Sequence, residues 1–161
     1  MMEKIMKRSE LHLLLLLAFL LFVSACGSKA SYEPRAVNPE IDACEVCNMS
    51  VAHEDFATQL IETDGTVHMF DDIGCMVKYL HGEGKDKEVG ATYVRDFETL
   101  DWVPFEQAYH AYHPEFWTPM AYGVVSFETK EQAESYVEKE GKGEVLDYNG
   151  LEKVNWVMQG H

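Results

Sequence analysis

Positive charge is what this chain has least of. It carries 13 Lys and Arg against 28 Asp and Glu, a formal net charge of −15 in 161 residues. Neutralising nucleic-acid phosphates takes Lys and Arg, so the balance argues against a nucleic-acid partner. An acidic surface instead suits a domain held outside a cell and steers cations towards it. Long apolar runs are missing too. The unbroken run Leu13–Val23 falls short of the ~20 residues a membrane-spanning helix needs. Preceded by Lys4, Lys7 and Arg8, it has the make-up of a signal-peptide core. Cysteine is scarce, with only Cys26, Cys44, Cys47 and Cys75 present.

The apolar run ends in Val23-Ser24-Ala25-Cys26-Gly27. Small residues before a single Cys resemble a bacterial lipobox. The expectation is a lipoprotein signal over residues 1–25, cleaved before Cys26, with lipid on the Cys26 sulfur. One acyl chain binds a membrane weakly, so the stable form is an anchor with several chains. Residues 26–40, with Pro34 and Pro39 among small residues, read as a flexible tether. Three cysteines then remain. An odd number in an exported chain leaves at least one thiol outside any internal disulfide, in a compartment that favours oxidation.

A hydrophobic content of 47% with 12% aromatics marks the remainder, 41–161, as globular. Phe56–Glu62 and Thr66–Phe70 have strand composition around the turn signal Thr63-Asp64-Gly65. Asp71 or Asp72 caps a helix whose Ile73, Met76, Val77 and Leu80 recur on one face, and Ala91–Asp96 is a strand. Trp102–Phe105, Tyr122–Phe127, a helix over Glu128–Glu140 and Glu144–Tyr148 follow in similar order. An offset of 57 brings Phe70 onto Phe127, Asp71 onto Glu128, Tyr79 onto Tyr136 and Leu80 onto Val137. Neither half is large enough for its own core. The fold class expected is α+β, two ββαβ repeats at roughly 55–97 and 102–150 packed into one body.

Chemistry concentrates in Cys44-Glu45-Val46-Cys47-Asn48-Met49. Thiolate and thioether are soft ligands, which favour Cu(I) over hard cations. A redox dithiol normally opens a helix, whose dipole lowers the thiol pKa; here a strand follows. Structural zinc takes four nitrogen or sulfur ligands, which Cys44, Cys47, Cys75 and a histidine could supply. A plain Cys44–Cys47 disulfide is a further alternative. Met120, in Thr118-Pro119-Met120-Ala121, reads locally as core filler. His53 reads as a solvated loop residue, and His68 and Met69 alternate to opposite sheet faces. His110 and His113 read as packing in an aromatic loop. Asp71 and Asp72 read as structural, one of them as the helix cap, rather than as a catalytic pair. Cys75, about 200° round the helix from Ile73, falls outside the apolar stripe and outside the site.

Four stretches together resemble the NosL family, lipoprotein copper chaperones of nitrous oxide reductase assembly. They are the lipobox at Cys26, the Cys44–Met49 motif, Gly65–Leu80 with Phe70-Asp71-Asp72, and Pro119-Met120-Ala121-Tyr122-Gly123 leading to Phe127. The resemblance covers nearly the whole mature chain. It implies two ββαβ repeats with a topology related to organomercurial lyase. It also implies a membrane-anchored, extracytoplasmic, non-enzymatic Cu(I) carrier serving nitrous oxide reductase and its assembly machinery. By position it makes Cys47 and Met49 the leading ligands, adds Met120, and leaves Cys44 as a further ligand or exchange partner. Ala121 stands where the family more often has Gly, a change of one methyl group. A thiol–disulfide oxidoreductase, an organomercurial-lyase-like enzyme using Cys44 and Cys47, and a chaperone for a different exported oxidase are the alternatives.

Overall fold

The computed structural model describes residues 32–154 and Trp156. The expected signal peptide, Cys26 and the tether up to residue 31 lie outside them.

Two sheets carry the architecture. The first has the order β2-β1-β3-β4, built from β1 (Thr58–Glu62), β2 (Val67–Phe70), β3 (Val89–Arg95) and β4 (Trp102–Pro104). The second has the order β6-β5-β7, from β5 (Tyr109–Tyr112), β6 (Val124–Phe127) and β7 (Glu144–Leu146). All neighbours are antiparallel. Helix α1 (Ile73–His81) follows β2, and helix α2 (Lys130–Glu140) follows β6. In each unit the first strand is central, the second is its hairpin partner, and the third returns beyond the helix to the first strand's other edge. The expected doubled ββαβ unit is thus the observed one.

The boundary between the units moves. Trp102–Pro104 pairs with β3 and so extends the first sheet rather than opening the second. The true first strand of the second unit is β5, in the stretch read as an aromatic loop. The offset of 57 survives where the structure is most alike: Asp72 caps α1 and Thr129, the equivalent position, caps α2. Thr129 and Gln132 form a capping box, and Gly141 ends α2 in the left-handed region at φ 69°, where a residue without Cβ is unstrained.

One core serves both units. Leu60, Phe70, Ile73, Met76 and Val94 of the first meet Tyr122, Val124, Leu146 and Leu151 of the second. Burial of such side chains contributes about 1.5–3 kcal/mol each, and much of it is lost if either half is removed. A smaller cluster of Phe116, Val125, Phe127 and Ala133 lies under α2.

Helix α1 is buried almost all round, at Ile73, Gly74, Cys75, Met76, Val77 and Tyr79. A helix with one buried stripe has one partner; one buried all round is enclosed. Here the second enclosing element is the segment before β6. Tyr122 lies so close to Gly74 that a Cβ there would stand 2.1 Å from its ring.

Part of the expected tether is docked chain. The Arg35 backbone N–H donates to Gln59 Oε1 at 3.1 Å, and Gln59 donates back to the Arg35 carbonyl. The Arg35 guanidinium forks onto Asp42 at 2.6 and 2.8 Å. Val37 packs with Val51, Ala57 and Met69.

A candidate metal centre at the head of helix α1

The Cys44–Met49 stretch is a tight loop, not a helix start. Its ends are tied by an antiparallel bridge between Ala43 and Ser50. Inside, the Cys44 N–H donates to the Met49 carbonyl at 2.8 Å and the Asn48 N–H to the Cys44 carbonyl at 2.9 Å. Closing so short a loop puts Asn48 at φ 58°, a region asparagine enters more easily than most residues. The Glu45 N–H donates to the Met69 carbonyl at 3.0 Å, which pins the loop to β2.

That placement carries the loop's sulfurs to the end of β2 and the first turn of α1. The ligand atoms of Cys44, Cys47, Asp71 and Cys75 all lie within 4.8 Å of one another. Cys44, Asp71 and Cys75 are buried, and Cys47 is half-buried. All three cysteines are free thiols. The Cys47 thiol donates to Asp71 Oδ2 at 3.3 Å. Asp71 Oδ1 is buried with no hydrogen-bond partner. Buried polar atoms are nearly always paired, so an orphan oxygen facing a thiol cluster fits a site made for a cation. The N-terminus of α1, with its partial positive charge, favours anionic ligands at this place.

The thiols are not equivalent. The Cys75 thiol, acting as donor, holds Cys44 down to about 7, against the opposing effect of burial. Burial, with Cys44 and Asp71 close by, pushes Cys47 up to about 12. Donation to Cys44, then burial, raises Cys75 as well. Cys44 is therefore the thiol that ionises first, while Cys47 and Cys75 hold their protons more tightly. A soft cation replacing those protons would meet up to three sulfurs and a carboxylate.

Of the residues singled out from sequence, Cys44 and Cys47 meet in this cluster. Met120 is half-buried and packs on the same core as Cys44, Cys47 and Cys75. Its N–H donates to Asp72 Oδ2 at 3.0 Å, next to the Thr118 hydroxyl at 2.7 Å. Asp72 Oδ1 accepts from the Gly74 N–H at 3.0 Å. One carboxylate thus caps α1 and ties the Met120 segment of the second unit to it. Met49 is 46% exposed at the loop's outer end. Ala121 sits at φ 57°, which gives the family's Gly a backbone reason: the left-handed region penalises any Cβ.

One expectation is corrected. Cys75 belongs to the cluster. The helical stripe alone leaves Cys75 off the buried face, whereas the Cys44–Met49 loop, whose thiols it meets, covers that side. Of the two candidate caps, Asp72 does the capping and Asp71 faces the thiols. Among the described residues no histidine joins the group. His53 lies against Trp117, with ring centroids 4.9 Å apart. His68 is held by Glu62 at 2.6 Å, His110 by Ser126 at 3.0 Å, and the Glu115 N–H donates to His113 at 3.1 Å.

The fold and this cluster define a class: a small doubled α+β body with a soft-donor candidate metal centre at the head of its first helix. The chain belongs to the NosL family, whose model matches residues 36–155. The crystal structure of the copper chaperone NosL from Shewanella denitrificans superposes with a TM-score of 0.64 and 17% identity, covering 74% of this chain and 95% of that one. At that identity the likeness is one of fold. No curated protein matches the chain.

Proposed function

We propose that this protein is a Cu(I)-binding chaperone, held by a lipid on Cys26 at the extracytoplasmic face of a membrane, that delivers copper to an exported copper enzyme, with nitrous oxide reductase as the preferred recipient. The observation that carries the metal reading is the convergence of Cys44, Cys47, Asp71 and Cys75 within 4.8 Å. Membership of the NosL family and the lipobox support the cargo and the anchor.

In this reading copper is the cargo, bound by exchange for protons. Cys44, the most readily ionised of the three thiols, supplies the first thiolate. Each further thiolate forms as Cu(I) displaces a proton from Cys47 or Cys75, and those protons leave to solvent. Met49 and Cys47 are the more exposed sulfurs, and Met120 is offered by the second unit. A recipient's thiol, imidazole or thioether would replace the exposed sulfurs one at a time while Cys44 and Cys75 keep hold. Soft, incomplete ligation suits release better than a closed cage.

Anaerobic titration against a Cu(I) chelator tests this. Cys47→Ser loses binding, while Met49→Ala and Cys75→Ser weaken it; unchanged affinity in Cys47→Ser sinks the assignment. Three thiols with a carboxylate also make a four-donor set that Zn(II) accepts. Zinc that displaces Cu(I) from the protein would overturn the choice of cargo. Transfer from loaded protein to apo nitrous oxide reductase, compared with an apo-oxidase, tests the recipient. Turnover on a dithiol or an organomercurial would support an enzyme instead.

A further inference from the structure

Apart from the donor cluster lies an open cavity of about 320 Å³ whose walls include Phe56, Phe97, Trp117 and Tyr136. Its size is at the small end of ligand sites, roughly 300–1,000 Å³, so it takes a side chain rather than a large cofactor. The walls are edge-to-face aromatics: Phe56 to Trp117 and Phe97 to Tyr136 are each 5.5 Å between centroids, at 74°. Trp117 is 56% exposed, large for an indole. The rim is acidic, with Asp55, Glu115 and Glu140. Glu115 is paired with Lys142 at 3.0 Å. Among the described residues neither Asp55 nor Glu140 takes part in an ion pair. The chain's own Lys142, 6.0 Å from the Phe116 centroid, already places a cation beside this aromatic cluster.

We infer that this cavity docks an arginine side chain of a partner protein. Aromatic faces attract a cation, and free carboxylates at the rim ask for one that also donates hydrogen bonds. Guanidinium does both, stacking flat while its N–H groups meet carboxylates; a quaternary ammonium has no N–H to offer. A chain at −15 selects and steers a basic partner. The position gives the contact a use. Trp117 precedes Thr118, whose hydroxyl holds Asp72, and His53, against Trp117, follows the Cys44–Met49 loop. An arginine held here seats the partner on Trp117 and His53, three residues before Met120 and four after Met49 in the chain. That the partner is the copper recipient rests on the delivery reading; the preference for arginine does not.

The test is calorimetric titration of the metal-free full chain with a Gly-Arg-Gly-Arg-Gly amide peptide, beside a parallel Cu(I) titration. Trp117→Leu is expected to weaken peptide binding about tenfold, between the sizes of an exposed and a desolvated cation–π contact, with Cu(I) affinity unchanged. Asp55→Asn with Glu140→Gln weakens it and flattens its salt dependence. Glu83→Gln, in the loop after α1, leaves it unchanged. Equal weakening by Glu83→Gln, or none by Trp117→Leu, would mean diffuse attraction to an acidic chain and overturn the site. Tetramethylammonium binding as tightly as the peptide would overturn arginine as the occupant. Because no copper is present, a failed delivery reading leaves this result standing or falling by itself.

Discussion

Removing the carboxylate of Asp72 tests the joint between the two units. The group is 1% exposed and accepts from Gly74, Thr118 and Met120. In Asp72→Ala, α1 loses its N-cap, about 1 kcal/mol. Two buried donors from the second unit lose their acceptor, roughly 1–3 kcal/mol each. With the carboxyl neutral, the variant should therefore be roughly 3–7 kcal/mol less stable. Ionisation works against the wild type. Burial, opposed by the three donors, brings Asp72 from the ordinary 3.8 to about 6. Between those values the unfolded chain has released the proton and the folded one keeps it, so stability falls as pH rises. At about 1.4 kcal/mol per pH unit, the wild type loses about 3 kcal/mol by pH 7 through this group. The gap between wild type and variant should be widest near pH 4 and shrink by that amount towards neutrality. Urea unfolding of both proteins across pH 4–7.5 measures it. A gap that stays constant or widens with pH refutes the reasoning, because the three donors would then outweigh burial. Cu(I) binding by the variant should weaken too, since Met120 loses its tie to α1.

Three other substitutions probe separate features. Gly74→Ala puts a methyl into the Tyr122 ring at 2.1 Å and should cost about 1–3 kcal/mol or more by overpacking, read from the urea midpoint. Ala121→Gly relieves a left-handed alanine and should stabilise by about 1 kcal/mol, seen as a raised Tm. His110 is buried and held neutral, its pKa lowered to about 3 by desolvation. The folded chain then refuses a proton that the unfolded chain takes below pH 6.5, so stability is lost as pH falls from there. His110→Gln should flatten that acid limb; an unaltered acid limb would show that His110 does not drive it.

The elements legible in sequence were those with local signals. Both helices announced themselves by caps and stripes, and β1, β2, β3 and β6 by composition. Strand β5 was hidden because Tyr109-His110-Ala111-Tyr112 lacks polar alternation; a histidine completely buried against Ser126 reads like a loop residue. In the site, the Cys44–Met49 motif was legible because its residues are contiguous. Cys75 and Asp71 were not, since each depends on contacts distant in sequence. Cys75 meets the thiols of the Cys44–Met49 loop, and Asp71 meets a thiol 24 residues away. Periodicity on one helix cannot report a cover supplied by another part of the chain.

The docked strap from Arg35 to Asp42 also acts as a strain relief for the candidate centre. The Arg35 backbone is paired with Gln59 of β1, and its guanidinium grips Asp42, two residues before Cys44. A pull on the chain ahead of the strap is therefore taken up by the first sheet before it reaches the Cys44–Met49 loop. Cutting the Arg35–Asp42 fork removes that relief and should leave Cys44 and Cys47 less firmly placed.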